Sequence, residues 1–239
     1  MASPMVFQRY EIKYLLTREQ KDAVISAMAP HMEPDSFGRS TIRNLYYDTD
    51  NYRLVRKSLE RPVYKEKLRV RSYCTAKADD EVFIELKKKY NSVVYKRRIG
   101  IREKEAADYL AGKIPASKRC QITDEIDYFC RFYETLAPRV FLSYEREAFF
   151  EKANDSFRVT FDENILWRTA DLSLEAGVYG ENILKPGQTL MELKTAGGIP
   201  LWMVDILTGQ GLRKASFSKY GNAYTAMFSR EKEEEEVYA

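Results

Sequence analysis

Tyr64-Lys65-Glu66-Lys67-Leu68-Arg69-Val70-Arg71-Ser72-Tyr73 is the stretch that decides the fold. Lys65, Lys67, Arg69 and Arg71 fall at every second position, with Leu68 and Val70 on the opposite parity. A period of two belongs to a β-strand, so the spacing predicts four cations leaving one face together. Like charges in a row repel one another. This face therefore meets either a polyanion or bulk water, and the stretch alone leaves both readings open.

The same design recurs along the chain. Phe7 to Tyr14 sets Arg9, Glu11 and Lys13 against Tyr10, Ile12 and Tyr14, and Val82 to Lys89 sets Glu85, Lys87 and Lys89 against Val82, Ile84 and Leu86. Lys96 and Arg98 share a parity, as do Tyr144 and Arg146, and as do Glu192 and Lys194; Arg158 opens a further strand. Each strand has an apolar side and a side of cations with an occasional glutamate. Closing such strands into an antiparallel barrel would turn the charged sides inward and make a tunnel. A flat sheet with a basic outer face is the plainer alternative. The expected class is thus α+β and β-rich, a closed antiparallel barrel with peripheral helices.

Composition narrows the functions. With 239 residues, 44% hydrophobic and 13% aromatic, the chain can build one large core. The net charge of +3 conceals an uneven distribution: from Arg53 to Lys104, seventeen Lys or Arg stand against seven Asp or Glu, a net of +10 that leaves −7 for the rest. A basic centre on a near-neutral protein points to a local anion site rather than a nucleic-acid coat. Cys74, Cys120 and Cys130 form no Cys-x-x-Cys pair, which disfavours a zinc or disulfide frame. His31 is the only histidine and sits at an expected helix end, so His-based nucleophilic catalysis is not expected. No apolar run reaches the ~18 residues of a membrane span, and Met1-Ala2-Ser3-Pro4 does not read as a signal peptide. A cytoplasmic protein is expected.

Helices punctuate the strands. Thr17 and Gln20 form a capping-box pattern opening a helix to about Met28. Short helices are expected near Tyr52 to Ser58 and from Arg102 to Ala111, stopping at Gly112. Ile126, Phe129, Cys130 and Tyr133 recur at helical spacing and predict a core-facing stripe. Pro200 begins another helix, with Gly209 expected after its end. Thr195-Ala196-Gly197-Gly198 lacks the P-loop pattern. Tyr46 and Tyr47 read as core, because no further aromatics are expected on the charged side. Residues 1–228 are expected to form one domain and 229–239 a disordered acidic tail.

Glu11-Ile12-Lys13-Tyr14, Lys67-Leu68-Arg69-Val70-Arg71, Glu85-Leu86-Lys87, Met191-Glu192-Leu193-Lys194 and Ser216-Phe217-Ser218-Lys219-Tyr220 follow one another in that order. Together they resemble the polyphosphate polymerase domain of the vacuolar transporter chaperone (VTC) family, among the triphosphate tunnel metalloenzymes and their CYTH relatives. The resemblance implies a tunnel that binds a triphosphate and Mn²⁺ or Mg²⁺, and transfer of the ATP γ-phosphoryl to a polyphosphate chain. It also implies a separate membrane-embedded partner for any export. Arg9 stands where hydrolytic tunnel enzymes carry the first of two glutamates, which fits the polymer-binding branch and makes Glu192 the best candidate metal ligand.

Phosphoryl transfer passes through a loose, highly charged transition state, so positioning and electrostatic stabilisation matter more than a nucleophile. Lys13, Arg69, Arg71, Lys87, Lys96, Arg146, Arg158 and Lys219 are the expected catalytic cations, with Arg9, Glu11, Lys67, Glu85, Arg98 and Lys194 binding substrate. Lys88, Lys89 and Arg97 are expected outside the tunnel or at its mouth. Arg9 paired with Glu11, and the Lys219 stem packed on its aromatic neighbours, are alternative readings. A tunnel triphosphatase and a non-catalytic polyphosphate-binding module remain the competing functions, and nucleic acid is not an expected partner.

Overall fold

The computed structural model describes residues 10–91, 93–153 and 156–238. Chain order runs β1 (Tyr10–Leu16), α1 (Arg18–Met28), β2 (Met32–Pro34), β3 (Ser40–Asp48), α2 (Arg53–Leu59), β4 (Tyr64–Ser72), β5 (Glu81–Tyr90) and β6 (Val93–Arg102). It continues through α3 (Glu103–Leu110), α4 (Gln121–Tyr133), β7 (Ala137–Glu151), β8 (Arg158–Arg168), β9 (Glu181–Asn182), β10 (Thr189–Thr195), α5 (Leu201–Gly209) and α6 (Lys219–Tyr238). The strands form one antiparallel sheet in the order β1-β10-β8-β7-β3-β4-β5-β6, with β2 added to β7 and β9 to β8.

Alternation explains which way the sheet faces. The apolar parity of β4 and β5 (Leu68, Val70, Val82, Ile84 and Leu86) packs against Ile122, Ile126, Phe129 and Tyr133 of α4. Val82, Ile84 and Leu86 are fully buried there, and burying each such side chain is worth ~1.5–3 kcal/mol. Tyr14, Leu16, Met191 and Leu193 pack likewise against Val24 and Met28 of α1 and Met203 and Leu207 of α5. Two hydrophobic clusters thus lie outside the sheet under the helices, while a third sets Ile42, Tyr46, Leu142, Tyr144 and Leu190 of the charged parity against Tyr220 and Ala223 of α6. The charged parity is left to face inward.

The expected closed barrel needs correction. Among the described residues β1 and β6 end the strand order and do not pair with one another. The reason is local. On the edge that β10 leaves free, the Ala215 amide donates to the Lys13 carbonyl at 2.7 Å, and Tyr14 bridges Lys214. At Lys13 and Tyr14 that edge is therefore taken by the Lys214–Ala215 segment and not by β6. A side-chain pair joins the two flanks instead, with Lys87 of β5 reaching Glu11 of β1 at 2.8 Å.

The expected helices form, and their ends have identifiable causes. Thr17 and Gln20 exchange both capping-box hydrogen bonds at the start of α1. Buried Asp48 accepts the Leu54 and Val55 amides at 2.9 and 3.0 Å and so caps α2. Gly209 is the last residue of α5 rather than its stop, and Pro200 is its N-cap. His31 stacks on Trp202 with ring centroids 4.4 Å apart, a structural contact. The backbone of α6 continues through the acidic stretch 231–236.

Candidate active site

Register places the charged residues face to face inside the curl. Lys13 lies opposite Glu192, Glu11 opposite Lys194, and Lys194 opposite Arg158. Arg146 pairs with Asp162, Arg71 with Asn44, and Arg69 with both Tyr46 and Glu85. Lys67 faces Lys87, which faces Lys96, while Glu85 also faces Arg98. Lys219 arrives from the first turn of α6, because Ser218 accepts the Gly221 amide through its hydroxyl and starts that helix. The one candidate not placed is Arg9, which lies outside the described residues, together with its suggested pairing to Glu11.

Two ion-pair centres result. In the first, fully buried Glu85 sits 2.7 Å from Arg69, 2.5 Å from Lys96, 3.8 Å from Arg71 and 4.0 Å from Arg98. Burial pushes the Glu85 carboxyl up, but the Arg71, Arg69 and Lys96 charges override it and hold it well below its ordinary range. The Arg98 guanidinium also lies 3.4 Å from the Phe83 ring centroid, at the end of the charged face.

In the second centre Arg146 forks onto Asp162 at 2.6 and 2.7 Å, and Lys219 lies 2.5 Å from Asp162 and 3.0 Å from Glu192. Lys13, Lys194 and Arg146 approach Glu192 at 3.1, 3.4 and 3.6 Å. Burial raises the Glu192 carboxyl, and Lys13, Lys219, Lys194 and Arg146 together pull it well below normal. Burial likewise raises the Glu11 carboxyl, and Lys87, Lys194 and Lys13 together bring it down to about 2.

Lys67 differs from these. Its ammonium donates to the Ser218 hydroxyl at 2.8 Å and has no carboxylate partner among the described residues. Burial, then the charges of Lys13, Lys87, Lys65 and Arg69, lower it to about 7. Arg158 shares the interior parity and likewise has no carboxylate partner among the described residues.

Some functional residues escape sequence reasoning. Tyr46 is buried, but its hydroxyl accepts from Arg69 at 2.9 Å and its ring stacks on Tyr220 at 4.7 Å. Tyr144 accepts from Arg71 at 2.9 Å, and Lys219 lies 4.5 Å from its ring centroid. Aromatics therefore do line the charged side, which corrects the expectation that they would not. They act there as anchors for guanidinium groups. Burial raises the Tyr144 phenol, yet Arg146, Arg71 and Lys219 bring it down to about 8. Asp162 was signalled by its parity with Arg158 and Thr160, and Asn44, which accepts from Arg71 at 2.9 Å, by its position two before Tyr46. The Lys219 head pairs with Asp162 and Glu192 and lies over the ring of Tyr144, which is not one of its aromatic sequence neighbours.

The carboxylates do not form a metal cage. Among the described residues no three His, Cys, Asp or Glu side chains converge, and both oxygens of Glu192 are engaged by cations. Hard oxygen ligands suit Mn²⁺ or Mg²⁺, but four cations within 3.6 Å oppose a second positive ion.

The interior gathers strand-borne cations around a few carboxylates, and the sequence matches the VTC domain across residues 8–228. The chain belongs to the VTC domain family. A search of curated proteins finds no match to the sequence. Among solved structures, a candidate adenylate cyclase from Bacillus halodurans superposes with a TM-score of 0.56 at 15% identity, covering 90% of this chain and 96% of that one. A candidate adenylyl cyclase from Hippeastrum, described as having a dominant triphosphatase activity, gives a TM-score of 0.53 at 16% identity over 92% and 96%. Both likenesses concern the fold. Among the described residues no helix of this VTC-domain chain is long and apolar enough to cross a membrane.

Proposed function

We propose that this chain transfers the γ-phosphoryl group of ATP to a polyphosphate chain bound along the inner face of the sheet. The observation that carries the proposal is the row Lys65, Lys67, Arg69 and Arg71, which extends the cation track beyond the ion-paired centres. A lone triphosphate would be served by the centres; a longer polyanion uses the row as well. Arg69, Arg71, Lys96 and Lys13 would neutralise the phosphate oxygens, while Arg146, Lys219 and Lys194 would hold the reacting group in line. Glu85, Glu192 and Asp162 keep the cations in place while the site is empty. Partial exclusion of water strengthens each contact and disfavours transfer to water.

Hydrolysis of a triphosphate is the second reading, supported by the likeness of this fold to the Hippeastrum protein with its described triphosphatase activity. The deciding experiment incubates the purified chain with ATP, with and without Mn²⁺ and a short polyphosphate primer, and resolves products on a polyphosphate-staining gel beside an orthophosphate assay. A polymer ladder with ADP is expected. Orthophosphate alone would replace the polymerase reading with the triphosphatase, and neither product would leave a binding module.

A further inference from the structure

On the outer face of the same strands, a cavity of about 440 Å³ opens between the β5–β6 end and α4, lined by Tyr64, Lys88, Tyr90, Tyr95, Arg97 and Glu125. Its size lies within the range of small-molecule sites. Lys88 and Arg97 lie on the parity opposite to Lys87 and Lys96, whereas Lys89 shares the parity of Lys87. Register explains the grid they form: Tyr64 faces Tyr90 across β4 and β5, and Lys88 faces Tyr95 across β5 and β6. Arg97 follows Tyr95 by two positions and so shares its face, about 7 Å further along the strand.

The polar groups of this cavity are incompletely matched. Glu125 accepts from Lys88 at 3.2 Å and from the Arg97 Nε at 3.2 Å, so one carboxylate serves two cations. The two terminal nitrogens of Arg97 make no hydrogen bond among the described residues, although the side chain is only 20% exposed. The Tyr90 and Tyr95 hydroxyls also lack partners among the described residues, and the residues Tyr64, Tyr90 and Tyr95 are 38%, 51% and 36% exposed. An open guanidinium fork recognises a planar or tetrahedral oxyanion, and neighbouring tyrosine rings offer stacking faces.

We propose that this cavity is a second ligand site, separate from the tunnel, that takes a nucleoside monophosphate. The base stacks among the tyrosines and the phosphate takes the Arg97 fork and Lys88, adding the negative charge that Glu125 alone does not supply. The short ligand suits the site, because its lining offers two cations, Lys88 and Arg97. The tunnel, by contrast, offers a continuous cation row. Nothing in this proposal depends on which reaction the tunnel performs.

The test is calorimetric titration of adenosine monophosphate into the full chain, first alone and then with the tunnel saturated by tripolyphosphate. One monophosphate is expected to bind per chain in both conditions, with adenosine and orthophosphate each binding at least tenfold more weakly. Arg97→Gln and Tyr95→Ala are each expected to weaken the monophosphate at least tenfold while leaving the tripolyphosphate titration unchanged, which also reports an intact fold. Loss of monophosphate binding on saturation, unchanged affinity in both variants, or equal affinity for adenosine would each overturn the site. Failure of tripolyphosphate to bind would count against the tunnel reading alone.

Discussion

Around Glu85 one carboxylate serves four cations, whereas around Glu192 and Asp162 two carboxylates serve Lys13, Arg146, Lys194 and Lys219. Both centres lie on one continuous inner face, yet they are balanced differently. The Asp162 centre resembles a buried salt-bridge network, in which each ion compensates another that could not otherwise be desolvated. The Glu85 centre, with Lys67 beside it, keeps a surplus of positive charge. Under the proposed function, the Glu85 half would add the surplus attraction for an anion, and the Asp162 half would both brace the strands and position the reacting group.

The sharpest way to break this contrast is Asp162→Ala. It removes the fully buried carboxylate that Arg146 and Lys219 share, leaving them Glu192 alone, and a loss of about 3–5 kcal/mol in denaturant unfolding is expected. A loss under 1 kcal/mol would mean that the network contributes little to holding the strands.

Arg69→Ala comes next in size. It removes a fork that spans Glu85 and the Tyr46 hydroxyl, and tripolyphosphate affinity is expected to fall about tenfold to a hundredfold, as for a lost charged hydrogen bond. Near-wild-type affinity in a folded variant would remove Arg69 from the anion site.

Lys67→Met tests the surplus directly, with opposite signs for two readouts. Anion affinity should drop severalfold, while the melting temperature of the empty protein should hold or rise, because a desolvated, carboxylate-free ammonium is gone. The pH dependence follows from the same residue. Its folded pKa of about 7 lies below the unfolded value near 10.4, so the unfolded chain binds more protons between those limits. The penalty from Lys67 is therefore full below pH 7 and relieved as pH rises toward 10.4. Bound polyanion restores the proton, so tripolyphosphate binding at pH 8 should take up protons in wild type and fewer in Lys67→Met. Calorimetry in two buffers of different ionisation enthalpy reads that difference, and equal uptake would reject the assignment.

Smaller effects concern the ends of the anion track and the acid limb. Saturation at a hundred times Kd stabilises by about 2.7 kcal/mol, so tripolyphosphate should raise the melting temperature more than orthophosphate at equal concentration. Equal shifts would argue against an extended site. Glu11 has its carboxyl depressed to about 2 in the folded chain. Its share of stability is thus present above the unfolded value near 4.3 and is lost as pH falls from there toward 2. Glu11→Gln should flatten that part of the acid unfolding profile, and an unchanged profile would mean the Lys87 contact is not maintained in solution.

The alternation of charged and apolar residues was enough to read a β-rich fold with a basic inner face, and the order of the motifs was enough to read the family. Alternation is a local property, set by the direction in which successive Cβ atoms leave a strand, so one sequence carries it. The capping box at Thr17 and the stripe from Ile126 to Tyr133 were legible for the same reason. What required the tertiary structure was every decision taken across the sheet. Lys13 meets Glu192 only after strands distant in sequence are set in register, and Arg146 meets Asp162 only once the β7–β8 pairing fixes its own register. Tyr46 could not be told from a core residue by sequence, because a buried ring and a buried ring that anchors Arg69 have the same local pattern. The open seam was equally hidden. Whether β1 pairs with β6 depends on which segment reaches its free edge, and Lys214–Ala215 reaches it from the far end of the chain. Backbone hydrogen-bonding capacity on an edge can be used once, and only the folded arrangement decides by whom.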